Sequence, residues 1–200
     1  MHRRLTETRI CLASHNAGKV AENAALLAEH GISVVSAKEL GLPEPAETET
    51  TFIGNATIKA LAAARASGMV ALADDSGFSV ASLDGAPGVY TADWAETPTG
   101  RDYQMAMAKV EKLARHDRDR RAWFSCALVL AWPDGHTEGV LGEAHGTWVW
   151  PPRGDKGFGY DPMFIPDGMT QSFAEIDPAE KHRISHRAAA FRLLKEACLG

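Results

Sequence analysis

This chain has no apolar run long enough to cross a bilayer, few cysteines and no excess of positive charge, and each lack excludes a class of function. A membrane-spanning helix needs about 20 consecutive apolar residues. The opening stretch from Met1 to Arg9 carries basic residues but no apolar segment of the kind that drives secretion, so a cytoplasmic protein is expected, with no membrane partner. Cys11, Cys126 and Cys198 are odd in number, scattered and set among apolar neighbours. They read as buried thiols of a reducing compartment, not as a disulfide framework or metal clip. Twenty-one Lys and Arg against 26 Asp and Glu give a net charge of -5, which argues against a protein that coats nucleic acid through a basic face. A small polyanion remains possible if a few cations are focused at one place. Internal repeats, low-complexity tracts and an interdomain linker are also missing, so 1–200 reads as a single domain.

What is present alternates strand and helix signals. Ile10 to Ala13 reads as a buried strand, followed by the loop Ser14-His15-Asn16-Ala17-Gly18-Lys19 and a helix with Val20, Ala24, Leu27 and Ala28 on one face, closed by Gly31. Ile32 to Val35 reads as a strand, and the Pro- and Glu-rich stretch Leu42 to Thr51 as an exposed loop. An alanine-packed helix is expected over 55–67, then a strand Met69 to Ala73 ending at Asp74-Asp75. Tyr103, Ala106, Val110 and Leu113 have helical spacing. Ala122 to Trp132 reads as a long strand turned by Pro133-Asp134-Gly135 into an antiparallel partner, His136 to Glu143, which makes the sheet mixed. A Gly-rich segment over 154–162 leads into Met163-Phe164-Ile165. One last helix, started at Asp177-Pro178, is expected to present Ile184, Ala188, Phe191 and Leu194 together.

Asp74 and Asp75 are the strongest chemical signal. Successive strand residues face opposite ways, so one carboxylate should turn to an internal support and the other to a site. Adjacent buried acids are costly unless paired or bound to a cation, which points to a hard metal ion. Turn chemistry at Asp-Asp-Ser-Gly explains the same residues without function. Ser14 to Lys19 is not a Walker loop, because Ala13 stands where its first glycine should be and Val20 where its Ser or Thr should be. A phosphate cradle can still form from Ser14, Asn16, Lys19 and the backbone at the helix start. Such a loop supplies no magnesium ligand, so Asp75 and a glutamate from the 44–49 loop are the candidates for Mg2+, unless the two aspartates act as acid and base without metal. Phe158-Gly159-Tyr160-Asp161 suits stacking and edge recognition of a base, or is simply a turn with aromatics in the core. Lys181, Ser185, His186 and Arg187 form a cationic, hydrogen-bonding patch. His182 and His186 have a zinc-ligand spacing without a third ligand to support it.

Taken in order, Ser14 to Lys19, Glu47-Thr48 before Thr51-Phe52-Ile53, Ala73 to Gly77, Gly85-Ala86-Pro87-Gly88, Gly157 to Pro162, and Glu180-Lys181 followed by Ser185-His186-Arg187 resemble the noncanonical purine nucleoside triphosphate pyrophosphatases, the inosine/xanthosine triphosphate pyrophosphatase family. The resemblance runs over nearly the whole chain. It implies an α/β fold, with an elongated mixed sheet flanked by helices and two lobes around a central substrate cleft. It implies magnesium-dependent hydrolysis of ITP, dITP and XTP to the monophosphate and pyrophosphate, cleansing the nucleotide pool, by a homodimer. Carried over, Ser14, His15, Asn16, Ala17, Gly18 and Lys19 would hold the triphosphate, with Lys19 also catalytic. Glu47 and Asp75 would bind Mg2+, with Asp75 the proton acceptor for water. Ser76 would touch substrate, Phe158 would stack on the purine within Phe158-Gly159-Tyr160-Asp161, and Asp161, Lys181, Ser185, His186 and Arg187 would read its edge. Gly54, Asp93 and His182 depart from the family pattern without touching that set. The alternatives are a related pyrophosphatase for modified pyrimidine triphosphates and a nucleotide-binding module without turnover.

Overall fold

The structure, a computed structural model, describes residues 2–199. Its main sheet has six strands in the order β2-β1-β3-β6-β7-β8. These are β1 Arg9–Leu12, β2 Ser33–Ser36, β3 Ala71–Val80, β6 Arg121–Ala131, β7 Thr137–Trp148 and β8 Phe164–Pro166, while β4 Glu96–Thr97 and β5 Gly100–Arg101 form a separate small ribbon. The sheet is mixed, as the sequence predicts: β1 runs parallel to β2 and β3, and β7 antiparallel to β8. Among the described residues five α-helices accompany the strands: α1 Ala17–Ala28, α2 Phe52–Ser67, α3 Tyr103–Ala114, α4 Pro178–Ile184 and α5 His186–Leu194.

The chain divides into two compact units, each assembled from separated segments. The first holds residues 1–75, 126–142 and 186–200. One of its cores joins β1, α1 and the outer half of β6 through Ile10, Leu27, Leu72, Leu128 and Phe191. A second is built almost wholly from small residues, with Ala56, Ala60, Ala63 and Ala64 of α2 against Ala71, Ala73 and Ala127. Methyl-sized side chains let α2 lie close to the sheet, which brings longer side chains of that helix to the strand backbone. The second unit holds 76–125 and 143–185, around the aromatic core of Phe78, Phe124, Tyr160, Phe164 and Phe173.

Four expectations are corrected. β3 does not stop at Asp74 but continues to Val80, buried at nearly every position, so both acids and Ser76-Gly77 lie inside a central strand and not in a turn. Helix α2 begins three residues early because the Thr51 side chain accepts from the Gly54 N–H and caps it. In α3, Met107 and Ala114 join Ala106 and Val110 in the core, whereas Leu113 is exposed. The single C-terminal helix is two, because Ser185 takes an extended ψ of 163° at the end of α4. Among the described residues no helix is long and apolar enough to cross a membrane, and all three cysteines are buried and unpaired.

Candidate active site

In the first unit, β1 delivers the chain to the loop Ser14–Asn16. Ser14 Oγ accepts from the Asn16 N–H at 3.1 Å, and Asn16 Oδ1 caps α1 by accepting from the Lys19 N–H at 3.1 Å. The loop is thus fixed by its own side chains, with Lys19 in the first turn. Lys19 Nζ stands 3.4 Å from Asp74 Oδ1. His15 lines a small cavity of about 100 Å³ with Leu42, Glu44, Lys59 and Ala63, and its buried Nε2 has no partner among the described residues.

Asp74 and Asp75 have opposite surroundings. Asp74 Oδ2 accepts from Asn23 Nδ2 at 3.0 Å, from the Cys126 thiol at 3.5 Å and from Arg187 Nε, while Oδ1 accepts from Arg187 at 3.3 Å. The Arg187 guanidinium, almost fully buried, also donates to Glu22. Burial alone would raise the Asp74 carboxyl, but Arg187 and Lys19, with the hydrogen bonds, outweigh it and hold the group well below the usual carboxylate range. The same burial and the neighbouring carboxylate push the Cys126 thiol up, so it is a donor and not a nucleophile. Asp75 goes the other way. Burial raises it, Lys59 and Lys19 oppose the rise, Glu47 adds to it, and the net direction is upward. Its Oδ1 accepts from Lys59 at 3.2 Å, whereas its buried Oδ2 has no partner among the described residues.

Lys59, on the buried face of α2, is one residue that sequence reasoning missed. Its Nζ donates to Glu47 Oε1 at 2.7 Å, to the Asp74 carbonyl at 3.0 Å and to Asp75 Oδ1 at 3.2 Å. The signal was available: Ala56, Lys59, Ala60 and Ala63 share one helical stripe, and a lysine in an alanine face must end on acceptors. Glu22, Asn23 and Cys126 were missed as well, and carry no local motif that would mark them. Among the described residues no group of three or more His, Cys, Asp or Glu side chains forms a metal cage. Magnesium does not need one, since it is held by one or two carboxylates together with water and substrate phosphates. Glu47 with Asp75, one of whose buried oxygens is orphaned, fits that chemistry.

The second unit holds the aromatic turn. Gly157 and Gly159 have φ of +69° and +65°, values that favour glycine, and Asp161 folds back so that Oδ2 accepts from the Phe158 N–H at 2.9 Å and from Lys181 Nζ at 2.7 Å. The Lys181 ammonium also lies 4.8 Å from the centre of the Phe158 ring. Phe158 is only partly buried. Tyr160 is not a ligand-facing aromatic: its ring stacks on Phe78 at 5.1 Å, its hydroxyl donates to the Thr91 carbonyl, and it is almost fully buried. Ser185, also buried, donates its backbone N–H to the Lys181 carbonyl where α4 ends. Ser76 follows Asp75 on β3 in this unit, whereas His186 and Arg187 open α5 in the first.

Known proteins resemble this chain over nearly its whole length. The sequence profile described as the Ham1 family matches residues 10–197. A protein of Gluconobacter oxydans named dITP/XTP pyrophosphatase is 60% identical over 96% of this chain and 91% of its own length. Another of that name from Rhodospirillum centenum is 59% identical over 98% and 97%. The solved structure of a HAM1 protein from Coxiella burnetii superposes with a TM-score of 0.86 at 37% identity, covering 95% of this chain and 98% of that one.

Proposed function

The chain belongs to the Ham1 family, and from that premise we propose that it is a hydrolase of purine nucleoside triphosphates, taking ITP, dITP and XTP with Mg2+ to the monophosphate and pyrophosphate. The observation that carries the reading is the split between two adjacent carboxylates, one saturated by donors and held ionised, the other raised and left with an orphaned oxygen. Pairs of titratable groups pushed apart by their surroundings mark acid and base assignments.

In this reading Asp74 is a support. It holds Lys19 at the mouth of the Ser14–Asn16 loop, where the ammonium and the helix start meet the triphosphate. Asp75 takes the proton from the water that attacks the α-phosphorus, and the bond to the oxygen bridging to the β-phosphoryl group breaks as pyrophosphate leaves. Glu47 and Asp75 would hold Mg2+, which when bound neutralises phosphate charge and polarises the phosphoryl group. Phe158 offers the face on which the purine stacks. Lys181, positioned by Asp161, supplies a donor suited to a 6-oxo purine, with Ser185 as a further candidate. Arg187 is reassigned: its donors are committed to Asp74 and Glu22, which supports a positioning role in place of reading the base edge. The whole length acts as one catalytic domain, in keeping with a profile match over 10–197. Three unpaired buried thiols suit the reducing cytoplasm, and a homodimer belongs to the same reading.

Asp75→Asn tests it. The amide keeps the shape and loses the charge, so turnover of ITP at saturating Mg2+ should fall by about 100-fold to 10,000-fold while the fold is retained, as loss of a positioned base does. Near wild-type turnover with unchanged circular dichroism would refute the assignment.

A further inference from the structure

We infer that Lys59 is a resident counter-cation of the Glu47–Asp75 pair and that a divalent cation enters by displacing it, so that metal binding and release of the Lys59 ammonium are one exchange. The inference rests on the reading of Glu47 and Asp75 as metal ligands and adds what this chain must do to accommodate the ion.

An ammonium has three N–H donors. At Lys59 three protein oxygens meet them, namely Glu47 Oε1, the Asp74 carbonyl and Asp75 Oδ1. In that arrangement no donor is left for a phosphate, although the residue is one of the few buried cations beside the acids. Two of its acceptors are the carboxylates a hard cation needs, and magnesium draws its oxygens to about 2.0–2.1 Å. An ammonium and a dication held by the same two carboxylates repel strongly at that range, even with the dication on the Asp75 Oδ2 that Lys59 leaves open. Burial raises the stakes, because Lys59 is only 6% exposed and its charge is met by those two carboxylates. Removed from them, a side chain this buried needs another anion. A triphosphate held by the neighbouring Ser14–Lys19 loop is an anion of that kind. The alanine stripe of α2 is the element that permits the exchange: Ala56, Ala60 and Ala63 pack the helix, and Lys59 on that stripe reaches the carboxylates.

The experiment is a titration of the full chain with Mn2+ in the absence of nucleotide, followed by the paramagnetic resonance of the free ion, for wild type, Lys59→Gln and Glu47→Gln. Lys59→Gln should bind Mn2+ more tightly than wild type by at least about tenfold, since it removes both a competitor and a like charge at close range. Its melting temperature should fall in EDTA and recover with Mn2+ by more than the wild type's does. Equal or weaker Mn2+ binding by Lys59→Gln, with equal melting increments, would overturn the exchange while Glu47→Gln, by binding poorly, upheld the metal site. Wild type and Glu47→Gln binding alike would take down the metal assignment and the exchange together. Should the variant fail to fold, amine-reactive labelling of wild type read by mass spectrometry decides. Faster modification of Lys59 with Mn2+ than with EDTA supports displacement, and protection by Mn2+ contradicts it.

Discussion

Asp74 and Asp75 are joined by one peptide bond and yet stand in opposite electrostatic surroundings, because strand geometry turns their side chains apart. Asp74 is the keystone of a buried set of donors from α1, β6 and α5, and its loss leaves Arg187 inside the protein with a missing partner. Asp74→Asn should therefore cost about 3–5 kcal/mol of stability at neutral pH, as breaking a buried pair from one side does, measured by urea unfolding. The pH dependence has a definite sign. The folded carboxyl titrates well below its ordinary value of 3.8, so its contribution is complete above that pH and is lost as the pH falls through the depressed folded value. Wild type should lose stability on that acid limb, and Asp74→Asn should lack that part of the loss. A variant as stable as wild type at neutral pH would contradict the keystone role. The aspartate pair and the self-capped Ser14–Lys19 loop were legible in the sequence because they are local. Glu22, Asn23 and Cys126 were not, since each acquires its meaning from a partner on another element, while Lys59 left a trace as a lysine in an alanine stripe.

At the scale of elements, the strand and helix periods were legible and the boundaries less so. The expectation that β3 ends at Asp74 failed because Asp-Asp-Ser-Gly has the composition of a turn, while burial on both faces and the continuation through Phe78 and Val80 keep it a strand. The broken C-terminal helix was hidden for a related reason: the apolar spacing of Ile184, Ala188 and Phe191 continues across Ser185 although the backbone does not, and Ile184 is exposed. A Cβ on Gly157 would overlap Asp161 Oδ2, and the φ of +69° disfavours any side chain. A non-glycine residue in that region costs roughly 1–2 kcal/mol, enough for a tenfold effect. Gly157→Ala should displace the carboxylate that holds Lys181 beside Phe158. Steady-state kinetics should then show KM for ITP raised about tenfold with kcat little changed, whereas an unchanged KM would show that the turn plays no part in holding the base.

Across the whole molecule, the α/β class and the mixed sheet were readable from alternation and from the hairpin at Pro133-Asp134-Gly135, while the division into two units, each stitched from distant segments, was not, because no composition change marks where the chain crosses between them. The motifs, by contrast, run from Ser14 to Arg187, and the family match spans the same length. The proposed function needs a carboxylate-rich site for the phosphates and a donor-bearing aromatic turn for a 6-oxo purine. A site that hydrogen-bonds a substrate group rejects the analogue lacking it by roughly 10,000-fold. The most direct test is pyrophosphate release by the purified protein with Mg2+ from a panel of ITP, dITP, XTP and ATP. The account predicts pyrophosphate and monophosphate from the three 6-oxo substrates, abolished by EDTA, with ATP poorer in kcat/KM by about that factor; equal efficiency on ATP, or release of orthophosphate in place of pyrophosphate, would contradict it.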